Sequence, residues 1–237
     1  MKGRLVRPKP ILSGCSVMVA RIDITSEEIL VGPHRLRALL GVPPVSTGIV
    51  IFAHGSGSGR LSPRNNHVAA ALRMHGQATL LLDLLTHEEE LHRRNVFDVE
   101  LLADRLRSAT KWVRNNSELR HLPIGYFGAS TGAAAALIAA ADDAAIAALV
   151  SRGGRPDMAG AALPSVRAPT LLLVGSLDGP VITLNQQAFM ALTCPKKILI
   201  VPGAGHLFEE PGTLDQVIAH ARKWFAIHFA HYKEGEQ

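Results

Sequence analysis

Gly125–Ala141, GYFGASTGAAAALIAAA, holds a short apolar run, an abrupt cluster of small residues and then an alanine-rich segment. Ile124 to Phe127 has the length and character of a buried strand, and the alanines have the strongest helix propensity of any residue. The stretch therefore reads as strand, sharp turn and helix. Within the turn, Gly128-Ala129-Ser130-Thr131-Gly132 spells G-x-S-x-G. In that setting the serine sits on a strained turn, its hydroxyl exposed above a sheet edge and its backbone beside a helix N-terminus. The glycines leave room for strand and helix to meet, and the small Ala129 and Thr131 leave Ser130 approachable. A plain tight link in a chain rich in Gly and Ala would look the same, so the reading depends on what other strand ends carry.

Three further strands end on informative residues. Gly48–Ala53, GIVIFA, is apolar enough to be buried on both faces, and it runs into His54-Gly55-Ser56-Gly57-Ser58-Gly59-Arg60. A glycine-rich loop there can aim backbone N–H groups at a developing oxyanion. It lacks the Gly-Lys-Ser/Thr of a Walker loop and the G-x-G-x-x-G pattern with a later acidic residue, which disfavours a nucleotide cradle. Pro169–Gly175 feeds Ser176-Leu177-Asp178, and Lys197–Val201 feeds Pro202-Gly203-Ala204-Gly205-His206. Residues just beyond the C-terminal ends of parallel strands gather on one edge of an open sheet. Ser130, Asp178 and His206 are thus expected to converge as nucleophile, orienting carboxylate and general base. Their chain order, Ser then Asp then His, suits this scaffold. The Thr131 amide and an amide at Gly55 or Ser56 are the expected oxyanion donors. His54, directly after a strand, is expected to orient the loop rather than to act as a second base.

Strands at Ala78–Leu82 and Ile146–Val150 and helices at Asn65–His75 and Val99–Arg114 fill the intervals. This βαβ rhythm favours a doubly wound α/β sheet. Ser16–Ala20, Glu28–Val31 and Arg35–Leu39 read as an antiparallel meander within residues 1–47 that joins the same sheet, making residues 1–237 one domain. At 237 residues and 47% apolar content, the chain can support one full core. Its net charge of +5 is dispersed rather than gathered into a run that would track a phosphate backbone. No nucleic-acid partner is therefore expected. No segment reaches about 18 uncharged apolar residues, and the basic N-terminus lacks a long apolar core. A cytoplasmic protein without a membrane partner is expected. Cys15 and Cys194 form neither a disulfide framework nor a metal-ligand spacing, and read as buried thiols. No metal or cofactor is called for.

These motifs together resemble the α/β-hydrolases, and most closely the dienelactone-hydrolase-like group, including hydrolase-type domains sometimes joined to phosphoribosyltransferases. The resemblance runs from about Gly48 to Phe229. It is carried by FAHGSGSGR (Phe52–Arg60), LLDLLTHEEE (Leu81–Glu90), GYFGASTGAAAAL (Gly125–Leu137), SRGGRPDMA (Ser151–Ala159), PTLLLVGSLD (Pro169–Asp178) and PGAGHLF (Pro202–Phe208). It implies an eight-stranded, mostly parallel sheet with helices on both faces, and hydrolysis through Ser130, Asp178 and His206. Dienelactone hydrolases proper use cysteine as nucleophile, whereas this chain has Ser130.

The expected substrate is a small or medium carboxylic ester or lactone. The short interval from Ala159 to Pro169 leaves little chain for a large lid. Arg152 and Arg155 are candidates to bind a substrate carboxylate, or to pair with Asp157 and hold their loop. Arg60 and Arg64 pose the same choice. Thr86–Asp98, dense in charge, reads as an excursion with a solvated face. A noncatalytic interaction domain on the same scaffold, or an acyltransferase using a nucleophile other than water, would share these motifs. Oligomeric state leaves no mark in the sequence.

Overall fold

The structure is a computed structural model that describes residues 25–235. Eight strands form one sheet in the order β1-β2-β4-β3-β5-β6-β7-β8. The hairpin of β1 (Glu27–Val31) and β2 (Leu36–Gly41) pairs antiparallel, and β2 joins β4 (Gln77–Leu82) antiparallel through Ala38 opposite Leu82. From β4 onward every pairing is parallel, through β3 (Gly48–Ala53), β5 (Ile124–Ala129), β6 (Ile146–Arg152), β7 (Thr170–Gly175) and β8 (Lys196–Val201). The two strands expected at Glu28–Val31 and Arg35–Leu39 thus form the antiparallel edge, with the second shifted by a residue or two. The strand expected at Ser16–Ala20 lies outside the described residues, as does Cys15.

Alternation along each parallel strand serves two cores. Ile49, Ile51 and Ala53 face one and Val50 and Phe52 the other, so both registers must be apolar and the strand reads as a continuous run. On the first face lie α4 (Val99–Asn115), α5 (Thr131–Ala141), α6 (Gly179–Ala191) and a 3₁₀ segment at Pro156–Ser165. On the second lie α1 (Pro63–Arg73) and α7 (Thr213–Gly235). α4 follows the expected stripe, burying Leu102, Leu106, Ala109 and Val113, and begins at Asp98, whose carboxylate accepts from Leu101 N at 3.0 Å. α5 is different, being buried from Thr131 to Ala140. A helix enclosed on all sides needs small residues to pass close to its neighbours, which explains the alanines.

The charged excursion holds more order than a solvated loop. It forms two short helical turns, α2 (His87–Glu90) and α3 (Arg93–Val96). A reciprocal capping box opens α2: Glu89 N donates to Thr86 Oγ1 at 3.2 Å, and Thr86 N donates to Glu89 Oε2 at 2.9 Å. The other oxygen of Glu89 pairs with Arg105 on α4, and Asn95 Nδ2 donates to Glu89 O at 2.9 Å. These ties hold the segment across the mouth of the sheet edge where β3 and β4 end.

Candidate active site

Ser130 occupies the turn between β5 and α5 with φ 50° and ψ −123°. A positive φ is costly for a residue with a Cβ, by about 1–3 kcal/mol, and persists only where the surroundings enforce it. Here they do. Ser130 O accepts from both Ala133 N at 3.1 Å and Arg155 N at 3.0 Å, which locks the turn. The flanking glycines are required by proximity: a Cβ at Gly128 would lie 2.5 Å from Ala133 Cα, and one at Gly132 would lie 2.2 Å from Ala53 O. Ser130 remains partly exposed, and its hydroxyl makes no hydrogen bond among the described residues.

Asp178 and His206 do meet, although they arise from different strand ends. His206 Nδ1 lies 2.7 Å from Asp178 Oδ2, so the ring donates there and leaves Nε2 as its proton-accepting nitrogen. Asp178 stands at the N-cap of α6, where a carboxylate would ordinarily accept from the first helical turn, yet its side chain makes no such bond. It is turned to the imidazole instead. Backbone and side chain tie the two loops together: Leu177 N donates to Ala204 O at 2.9 Å and Gly203 N to Ser176 Oγ at 2.8 Å. His206 adjoins the end of β6 beside Ser130. A Cβ at Gly153 would lie 2.8 Å from His206 O, while Ser130 N approaches Arg152 O at 3.4 Å. Among the described residues no hydrogen bond joins Ser130 Oγ to the His206 ring, a looseness common before substrate binds.

The glycine-rich loop after β3 closes over Ser130, since a Cβ on Gly55 would fall 2.9 Å from Ser130 Cβ. Of the expected oxyanion donors, the Thr131 and Gly55 amides have no acceptor within the protein among the described residues. The Ser56 amide is engaged, donating to Thr131 Oγ1 at 3.0 Å, which fastens the loop to the serine turn. His54 holds the loop from beneath. A carbonyl can only accept and an amide can only donate, so Nδ1 donates to Gly55 O at 2.9 Å and Nε2 accepts from Leu84 N at 3.0 Å. This fixes a neutral tautomer. Burial pushes the His54 pKa down, opposed by the Gly55 bond and by the charges of Asp83 and Glu90.

That depression has a measurable sign. Above the ordinary imidazole value of about 6.5 both folded and unfolded chains carry neutral His54. Below it, the unfolded chain gains a proton that the folded chain refuses, so stability falls with pH until the depressed folded value is reached. Urea unfolding followed from pH 7.5 down to 5 should lose stability faster in the native protein than in His54→Gln. Equal slopes would show that His54 is not held neutral.

The arginines divide. Arg60 binds Asp83, with Nη1 at 2.6 Å from Oδ2, and reaches Glu28 at 3.0 Å, which ties the loop to β4 and β1. Arg155 forms a bidentate pair with Asp157 at 2.8 and 2.9 Å, whereas Arg152 does not reach that carboxylate. Arg64 pairs with Glu209 at 2.5 Å. Arg152 donates to Asn65 Oδ1 at 3.3 Å and Leu207 O at 3.4 Å, and lies 5.9 Å from the Phe208 ring centroid. Burial, with the charge of Arg64 adding to it, lowers its pKa to about 10. Its contacts steady the turn that carries His206. Glu210, not singled out from sequence, does so from the other side by accepting from Gly205 N at 3.0 Å. That hydrogen bond lowers its pKa. A carboxylate five residues beyond Gly205 was the available signal.

The fold and this strand-end arrangement define an α/β-hydrolase. The chain belongs to the dienelactone hydrolase family, whose model matches residues 37–228. It is 52% identical to a dienelactone hydrolase from Anabaena variabilis, with a TM-score of 0.82 over 86% of this chain and 99% of that one. Est1E from Butyrivibrio proteoclasticus, 16% identical with a TM-score of 0.72 over 87% of this chain and 99% of that one, shares the fold. A Mycobacterium tuberculosis protein with the provisional name phosphoribosyl transferase is 55% identical over 202 residues, covering 85% of this chain. The match takes in 46% of that relative, so the chain spans about half the length of the curated relatives it matches. No helix among the described residues is long and apolar enough to cross a membrane.

Proposed function

We propose that the protein is a serine hydrolase of small or medium carboxylic esters or lactones, working through Ser130, His206 and Asp178. The observation that carries this reading is the 2.7 Å contact from His206 Nδ1 to Asp178 Oδ2, at strand ends adjoining a strained serine turn. Ser130 Oγ attacks the carbonyl carbon while His206 Nε2 takes its proton, and the imidazolium is stabilised by Asp178. The carbonyl oxygen gains negative charge and is met by the Thr131 and Gly55 amides, each such donor being worth roughly 3 kcal/mol in the transition state. The Ser56 amide, bonded to Thr131 Oγ1 at 3.0 Å, holds the loop beside them. Collapse of the tetrahedral adduct breaks the bond to the leaving oxygen, which takes the proton from Nε2. Water, deprotonated by the same nitrogen, then releases the acid and restores Ser130. The chemistry needs no cofactor, and the two-cysteine composition suits a cytoplasmic enzyme with a small-molecule substrate.

A fluorophosphonate probe tests the reading directly, since only an activated serine attacks it. One equivalent should attach to Ser130 and none to Ser130→Ala. Folded protein that stays unlabelled would favour a noncatalytic interaction domain. Product analysis with added alcohols and amines would expose an acyltransferase.

A further inference from the structure

A cleft of about 340 Å³ opens between residues 54–58 and a facing wall of Leu85, Glu90, Val96 and Leu102. Gly55 borders both this cleft and Ser130, so a group bonded to the reacting carbonyl can enter it. Sheet order bears on which group that is. His206 comes from the loop after β8, on one side of β5, and it must protonate the leaving oxygen. The cleft lies on the opposite side, at the ends of β3 and β4, so a leaving oxygen that faces His206 leaves the side of the cleft to the acyl chain.

The cleft has an uneven lining. Leu85 and Leu102 are buried apolar walls, and His54 is neutral and committed to two backbone bonds. Among the lining residues Glu90 is the one ionic side chain. Its neighbour Glu89 is occupied by Arg105 and Thr86, while Glu90 has no ion pair or side-chain hydrogen bond among the described residues. The capping box and Asn95 hold the short helix, whose last residue, the exposed Glu90, lines the rim of the cleft. An exposed carboxylate without a cation partner at the rim of a cleft with apolar walls attracts positive charge and repels acids.

We propose that this cleft is the acyl pocket and that Glu90 selects acyl groups bearing a cationic nitrogen of the ammonium type. The proposal rests on the serine-hydrolase reading above. Its probes are the para-nitrophenyl esters of γ-trimethylammoniobutyric acid and of the uncharged isostere in which tert-butyl replaces trimethylammonium. The two acyl chains have nearly equal shape, so the ratio of their kcat/KM values isolates charge. Wild type should favour the cationic ester, and Glu90→Gln should lower the ratio by about fivefold, the factor expected for one opposite charge at 4 Å in a watery site. Glu90→Lys should lower it further, and salt should shrink the wild-type preference. Equal ratios in wild type and Glu90→Gln, or a wild-type preference for the neutral ester, would overturn the role of Glu90 while leaving the hydrolase reading intact. Hydrolysis of neither ester, or undiminished hydrolysis by Ser130→Ala, would instead overturn the hydrolase reading and this inference with it.

Discussion

Ser130→Ala is expected to reduce the chemical rate on an activated aryl ester by roughly 10⁴–10⁶-fold, the cost seen when the nucleophile of such a set is removed. The structure gives reason to expect a clean result. Ser130 Oγ makes no hydrogen bond among the described residues, so its loss leaves no buried partner unsatisfied, and alanine keeps the Cβ that the turn already accommodates. The turn itself is held through the carbonyl of residue 130, which both variants possess. Thermal unfolding should therefore be close to wild type while hydrolysis vanishes. Intact-mass analysis adds a second readout: wild type should carry an acyl adduct under conditions where deacylation is slow, and the variant none. Near-normal turnover by a folded Ser130→Ala would sink the mechanism.

Much of this arrangement was legible because its signals are local. Buried parallel strands announce themselves as apolar runs, and each of the three suspected catalytic residues follows such a run by a few positions. The structure moved these strand limits only slightly, β5 extending from Phe127 to Ala129 and β6 from Val150 to Arg152. Both extensions fall on small or polar residues whose strand character comes from pairing, Ala129 opposite Arg152. Contacts made across the chain were not legible. For Arg60 the choice between binding substrate and holding its loop stayed open, because its partners Asp83 and Glu28 stand 23 and 32 residues away. Arg155 and Asp157 are two residues apart, and that pairing could be weighed from sequence. The Thr86–Asp98 excursion was opaque for another reason. Its helical turns are too short for periodicity to register, and their order comes from a capping box and from Arg105 on another helix. Glu90 consequently looked like one solvated charge among several, although the fold places it on the same cleft as the glycine-rich loop after β3.

Asp178→Asn should lower kcat by about 10⁴-fold with little change in KM, because the lost group acts on the base rather than on bound substrate. The carboxylate can only accept, which obliges His206 to carry its proton on Nδ1 and leaves Nε2 bare. An amide can donate as readily as it accepts. Asparagine can therefore pair with the opposite tautomer, whose Nε2 already bears a proton and cannot receive another from serine. It also withdraws the negative charge that stabilises the imidazolium formed during attack. The fold should tolerate the exchange, since the Asp178 side chain caps nothing and the loop is held by backbone bonds from Leu177 N to Ala204 O and from Asp178 N to Gly175 O. Steady-state kinetics on an aryl ester, read beside the rate of fluorophosphonate labelling, checks this: both should fall together, because both require deprotonation of the same hydroxyl. A folded Asp178→Asn protein that labels and turns over at wild-type rates would mean that His206 is oriented by something else, and that the Asp178 contact only pins two loops together.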